Sequence, residues 1–179
     1  MFLEFQDSKI WPFDVRAVNQ ATWRFLTEAG HKFNNYIEEH VEMRDNTMLR
    51  KFGVEFKHGE SVAILFGRQV TRRYMESNRI VIVRHSSIDE IQLSGASTSG
   101  LTFRESGWIV MKNEDFGTGS ATLTQAYSTM TPDIDLNQNW EIGTLTDFVL
   151  QSREDVEVGN DTIIENLLLE EAAKQLANP

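Results

Sequence analysis

The sequence predicts an α+β domain in which a curved antiparallel sheet is closed by a helix near the C-terminus. Three observations carry this. The apolar pattern runs strand, helix, a series of strands, then helix again. In "MLRKFGVEF" Met48, Phe52, Val54 and Phe56 fall on one face while Lys51 and Glu55 fall on the other, the alternation of a strand with one buried side. Near the end, Ile164, Leu168, Ala172 and Leu176 recur every fourth residue, with Leu167 and Leu169 widening the stripe.

The first strand is predicted in "FLEFQDSKIWPF". A helix follows in "DVRAVNQATWRFLTEAGHKF": Asp14 accepts a backbone N–H at its start, and Val15, Val18, Trp23 and Leu26 form an apolar stripe. Gly30 marks where that helix frays. After "MLRKFGVEF", His58 and Gly59 turn the chain into "SVAILFGRQVTRRYM". Ser77-Asn78 is a two-residue hairpin turn before "RIVIVRHSS", because Asn tolerates the positive φ such turns require. Strands over Leu101–Lys112 and Ser120–Pro132 flank the glycine-containing turn "NEDFGTG". A short helix is expected in "GTLTDFVLQSRED" and a longer one in "NDTIIENLLLEEAAKQL", where Asp161 and Lys174 suit the helix dipole. That last helix is the element to cover the concave face of the sheet.

The 179 residues suit one domain, taken as residues 1–179, and would bury roughly 70% of the unfolded chain's surface. An apolar content of 40%, with 11 Phe and 4 Trp, supports a core and argues against disorder. No apolar run approaches the ~18 residues of a membrane span. The N-terminal stretch lacks the basic and apolar regions of a signal peptide, so an intracellular location, cytoplasmic or nuclear, is expected and the Asn160-Asp-Thr162 sequon carries no glycosylation argument. The absence of cysteine excludes disulfides, thiol catalysis and cysteine-ligated zinc. A net charge of −10 opposes nucleic-acid binding; the arginines of "RQVTRRY" read as the solvated face of a strand.

That order of elements is the helix-grip layout of START-like (Bet v 1-like) domains. Within it, "RQVTRRYMESNRIVIVRHSS" (Arg68 to Ser87), "FRESGWIVM" (Phe103 to Met111), "IIENLLLEEA" (Ile163 to Ala172) and "IWPF" (Ile10 to Phe13) ahead of a helix bearing Trp23 resemble the START-like domain of the oomycete mating-specific protein family. The resemblance implies that one lipid or other hydrophobic molecule is held between the sheet and the C-terminal helix. It implies no catalytic residues and no cofactor. Relatives in that family often carry a basic, coiled-coil-like segment before the domain; these 179 residues hold nothing comparable, so no DNA-binding role is carried over.

Candidate binding residues follow from hairpin register. A turn at Ser77-Asn78 sets Tyr74 opposite Val81, Arg72 opposite Val83 and Val70 opposite His85. One face then carries Phe66, Val70, Arg72, Tyr74, Val81, Val83 and His85, and the other Gln69, Thr71, Arg73, Met75, Ile80, Ile82 and Arg84. The first is expected to be concave, since it holds Tyr74 and Phe66; a one-residue slip would reverse the choice. Arg72 and His85 would then orient a ligand in an apolar wall. The alternative is that Arg72 reaches the rim and His85 bonds a backbone carbonyl. Glu76 and Arg79 read as an exposed cross-strand pair.

In "FRESGWIVM" the neighbours Arg104 and Glu105 point to opposite faces and cannot pair with each other. Glu105 is expected on the cavity side with Phe103, and Gly107 is a candidate bulge that would bring Trp108 to that side. Tyr127, Ile164 and Leu168 complete the expected lining. Glu165 falls within the apolar arc of the last helix at about 100° per residue, where it would meet a cation such as Arg72 or bend out to solvent. Glu38, Glu39, His40 and Glu42 supply metal-ligand atom types without a metalloprotease spacing, and Gly117-Thr118-Gly119-Ser120 opens onto a strand with no helix N-terminus to hold phosphate. No metal and no catalytic residue is assigned. Non-enzymatic binding of a lipid or hydrophobic small molecule is the leading expectation. A protein-interaction module with a vestigial pocket comes second, and a small hydrolase or cyclase third. The last requires Arg72, His85, Glu105 or Glu165 to converge in one cavity.

Overall fold

The computed structural model describes residues 2–29, 35–58, 61–93, 96–97, 102–115, 120–133, 146–147, 150 and 159–174. Its strands are β1 (Leu3–Trp11), β2 (Asn35–Arg44), β3 (Thr47–His58), β4 (Ser61–Met75), β5 (Ile80–Leu93), β6 (Ala96–Ser97), β7 (Thr102–Asp115) and β8 (Ser120–Asp133). They form one curved antiparallel sheet in the order β1-β8-β7-β5-β4-β3-β2, with the two-residue β6 paired to β5. Helix α1 (Val15–Arg24) and helix α2 (residues 159–174) lie on one side, here the inner face. No described helix is long and apolar enough to cross a membrane.

Asp14 caps α1 by accepting from the N–H groups of Arg16 and Ala17 at 2.9 and 3.1 Å. The helix then widens into a π turn over Phe25–Ala29, and Thr27 donates its hydroxyl to the Trp23 carbonyl there. Val18 and Ala21 are its most buried apolar residues, and Trp23 stands partly buried beside them.

The β4–β5 hairpin has the register its turn dictates: Tyr74 faces Val81, Arg72 faces Val83 and Val70 faces His85, and the Glu76 N–H donates to the Arg79 carbonyl. Glu76 and Arg79 make the expected exposed pair. Asp89 is an extra residue in β5, so that Phe66 pairs with Glu90 while Gly67 pairs with Ile88, and Ile88 and Ile91 both turn inward. In β7 the register is continuous through Gly107, which is therefore no bulge. The glycine is there for close approach: a Cβ would stand 2.6 Å from the Tyr127 carbonyl oxygen and 2.8 Å from Ser128 Cβ.

Strand β2 was not legible as a strand. Its charged residues flank an exposed Ile37, a pattern suited to a blunted sheet edge but poor in apolar alternation. The expected short helix of "GTLTDFVLQSRED" and the turn "NEDFGTG" lie largely outside the described residues, as do Gly30, Gly59 and Leu176.

Two apolar clusters occupy the inner face. One joins Trp11, Val18, Ala21, Phe25, Ile80, Ile82, Met111, Leu167 and Leu168, so both helices and the sheet share it. The other joins Val54, Leu65, Ile88, Ile91 and Phe103 at the opposite end of the strands. Leu169, expected to widen the helix stripe, is 60% exposed, because it lies about 100° around the helix from Leu168.

Candidate functional site

Between the two clusters the strand registers lay down a polar belt. One row across the inner face reads Arg50, Gln69, Ser86, Glu105 and Met130, from β3 to β8. The next row reads Met48, Thr71, Arg84, Gly107 and Ser128. On the helix side of the belt the next row reads Arg73, Ile82, Ile109, Ala126 and Asp7, from β4 to β1. On its other side lie Phe52, Gly67, Ile88, Phe103 and Pro132. Along β5 and β7 the inner face is therefore apolar, polar, then apolar.

The belt is held by its own contacts. Arg84 donates from Nη2 to Glu105 Oε1, with side chains 36% and 19% exposed. Gln69 Nε2 donates to Ser86 Oγ at 3.1 Å. Arg50 Nε lies 2.9 Å from Glu39 Oε1, and its Nη2 donates to the Leu26 carbonyl at 2.6 Å, which ties β3 to the π turn. Thr71 is fully buried, and its hydroxyl has no hydrogen-bond partner among the described residues. Where β5, β7 and β8 cross the belt, the small residues Ser86, Gly107 and Ser128 alternate with Arg84, Glu105 and Met130, and the small Ala126 follows in the next row. A recess of about 10 Å³, the size of one water, lies where Phe103, Met130 and Pro132 meet Leu3 and Phe2.

Helix α2 is fastened over this face by ion pairs at both ends. Lys9 reaches Asp161 at 2.8 Å and Glu165 at 3.2 Å while its ammonium stands 4.1 Å from the centre of the Trp11 ring. Arg24 on α1 lies 3.7 and 3.9 Å from Glu170 and Glu171. Burial acts to lower the Lys9 pKa, but hydrogen bonds and charge from Asp161 and Glu165 outweigh it, and the net shift is upward from 10.5. A lysine whose pKa is raised on folding stabilises the fold fully below its unfolded value and loses that contribution as pH climbs through the folded one. The stability difference between wild type and Lys9→Met, measured by urea unfolding from pH 7 upward, is therefore expected to be constant to about pH 10 and to shrink above it. A difference that grows on the alkaline side would contradict the anchor.

The sequence-predicted lining divides between the two faces. Phe103, Glu105, Ile164 and Leu168 lie on the helix side. Phe66, Arg72, Tyr74, Val83, His85 and Tyr127 lie on the outer face, which reverses the expected concave side. Tyr74 and Val83 are each 43% exposed, whereas Ile80 and Ile82 on the opposite face are 4% and 1%. The register was right and the face wrong: both faces mix apolar with basic residues, and the one carrying the two isoleucines docks against the helices. On the outer face Arg72 stacks over Tyr74 at 5.2 Å, His85 Nδ1 lies 2.8 Å from Ser106 Oγ, and Trp108 stacks on Tyr127 at 5.6 Å between centroids. Glu165 is engaged by Lys9, so Arg72, His85, Glu105 and Glu165 do not converge.

The polar residues that sequence reasoning passed over are Arg50, Thr71, Arg84, Ser86 and Ser128. Strand alternation was the signal that could have found them, once Ile80 and Ile82 were placed inside. Among the described residues no group of three His, Cys, Asp or Glu could hold a metal ion. Alternation in β2 explains it for the acidic stretch, since Glu39 turns inward to Arg50 while His40 and Glu42 take the other face.

No protein-family model matches the chain, and no curated protein does. Solved structures share its fold. The allergen-type structure Ara h 8.0201 is 13% identical with a TM-score of 0.56, covering 95% of this chain and 99% of that one. The di-domain ARO/CYC StfQ of the steffimycin biosynthetic pathway is 12% identical at 0.56, covering 97% of this chain; this chain spans 52% of StfQ. TTHA0849 of Thermus thermophilus is 14% identical at 0.54, covering 94% of this chain and 99% of that one. The fold is thus the α+β, Bet v 1-like helix-grip fold.

Proposed function

We propose that the chain binds a hydrophobic small molecule, without converting it, over the polar belt between the sheet and α2. The observation that carries this reading is a polar belt, with the small residues Ser86, Gly107 and Ser128 in it, set between two apolar clusters on the face that α2 covers. A pocket that orients an apolar ligand by a few polar groups has this composition. The resemblance to START-like domains points the same way. The ARO/CYC name of StfQ raises ring-closing chemistry as an alternative, but Arg84 and Glu105 already neutralise each other, which suits positioning better than proton transfer.

The test is Nile red titrated into the full-length protein, with native mass spectrometry of the protein as purified. Saturable fluorescence enhancement at one site per chain, lost on unfolding, is expected. Failure of Nile red to bind would end this reading. A second reading, a protein-interaction module, is favoured by the outer-face patch of Val70, Tyr74, Val83 and Trp108, each more than a third exposed. It would gain if the ligand experiments are negative and sedimentation shows a stable complex or dimer.

A further inference from the structure

We propose that two copies of this chain pair through the outer face of the sheet, about a two-fold axis that runs along the strands between β5 and β7. This rests on the second reading above, which makes the outer-face patch a contact surface, and names its partner as a second copy. Ligand binding at the inner face is independent of it.

Three observations lead there. The first is composition. Arg72, Val83, Trp108 and Tyr127 follow one another in a single row across β4, β5, β7 and β8. Val70 and Tyr74 flank Arg72 on the same face of β4, and Leu49 pairs with Val70 from β3. Leu49, Val70, Tyr74, Val83 and Trp108 are each more than a third exposed, so the patch is contiguous and open to water. Patches of this kind mark contact surfaces, and Trp, Tyr and Arg are the side chains that dominate contact energies.

The second is charge. At a net charge of −10, two copies repel each other across most pairs of surfaces. The centre of the outer face escapes this. On one side of the Arg72 row the next reads Val70, His85, Ser106 and Thr129, and on the other Tyr74, Val81, Val110 and Gln125. From β4 to β8 none of the three rows holds a carboxylate. At the rim Asp89 and Asp133 are already paired with Arg68 and Arg104, at 3.0 and 2.6 Å. Arg72 has no carboxylate partner among the described residues and lies over the Tyr74 ring at 5.2 Å.

The third is order along the row. A two-fold axis between β5 and β7 sets β4 over the partner's β8 and β5 over its β7, and keeps each row at its own height. Arg72 then meets the partner's Tyr127, Val83 meets the partner's Trp108, and both contacts are returned. A guanidinium over an aromatic ring and an aliphatic side chain against an indole are each favourable. In the neighbouring rows His85 meets the partner's Ser106 and Val81 meets the partner's Val110, so no like charges face each other. Sheets stacked in this way stand about 10 Å apart and cross at about 30°. Because the sheet curves, contact is confined to the central strands, which places the pairing at the small, reversible end of interfaces.

Sedimentation velocity of the full-length protein, from about 5 to about 300 µM and at ~0.05 and ~0.5 M sodium chloride, is the test. A monomer–dimer equilibrium with a Kd on the order of tens of micromolar is expected. It should tighten at the higher salt, because screening weakens repulsion between two anionic copies. Trp108→Glu and Val83→Lys, each alone, should weaken it roughly tenfold or more. An equimolar mixture of the two should pair again, since the new glutamate and lysine then face each other. Urea unfolding confirms that both variants fold, and Leu169→Glu on α2 is the control that keeps the dimer. A wild-type chain that stays monomeric throughout overturns the pairing and leaves the patch to a foreign protein. A mixture that fails to pair, or a dimer loosened by salt, overturns it as well. A dimer indifferent to both outer-face substitutions takes the outer-face reading down with it. Nile red bound by monomeric Trp108→Glu as by wild type keeps the inner-face reading separate from all of these.

Discussion

Arg50→Ala is expected to destabilise the protein by about 3–5 kcal/mol, the cost of stranding one partner of a buried ion pair. The Arg50 side chain is 6% exposed and that of Glu39 17%, so removing the guanidinium leaves a carboxylate largely out of water. It also frees the Leu26 carbonyl that Arg50 binds, at the point where β3 meets the π turn. Chemical denaturation at neutral pH measures the loss. The double variant Glu39→Leu/Arg50→Met removes both charges together and is expected to recover most of it, since apolar replacement of a whole buried pair is commonly neutral or favourable. If the single and double variants were equally unstable, the damage would come from lost packing, and the charge argument would be wrong.

Leu168→Ala should cost about 2–5 kcal/mol, the range for a leucine truncated in a packed core. Leu168 is 1% exposed and packs in the cluster that joins α2 to the sheet and to α1. Its neighbour provides the control. Leu169→Ala removes the same atoms from a side chain 60% exposed and should fall within about 0.5 kcal/mol of wild type. Because the ion pairs of Lys9 and Arg24 are partly exposed to solvent, they are not expected to hold α2 once the leucine anchor is gone. Hydrogen exchange in residues 159–174 should therefore rise more steeply in Leu168→Ala than exchange in the β4–β5 hairpin. Equal effects of the two substitutions would refute the assignment of the helix face.

Much of the fold was legible because period and register are local properties. The alternation of Met48, Phe52 and Val54 against Lys51 and Glu55 defines β3, and Ser77-Asn78 alone aligned Tyr74 with Val81 and Arg72 with Val83. Strand β2 escaped because edge strands are kept charged and short of apolar alternation. Within "FRESGWIVM", alternation was enough to show that Arg104 and Glu105 need separate partners. Those partners lie 29 and 21 residues away: Asp133 on the outer face for Arg104, and Arg84 on the inner face for Glu105. Contacts of that range leave no periodic trace in the chain.

The amino-acid sequence by itself determined most element types, β2 and the π turn apart, together with the hairpin register and which side chains share a face, since backbone geometry makes these depend on near neighbours. Only the tertiary structure decided which of the two faces is the inside. Val81 and Val83 compete with Ile80 and Ile82 on nearly equal terms within the hairpin, and each face carries its own arginine. The balance was tipped by distant surfaces, those of Val18, Phe25, Leu167 and Leu168, which bury the isoleucines and leave Tyr74, Val83 and Trp108 in water. Hydrophobic burial is a property of the whole packed arrangement. The polar belt from Arg50 to Glu105 came into view only once that choice of face had been made.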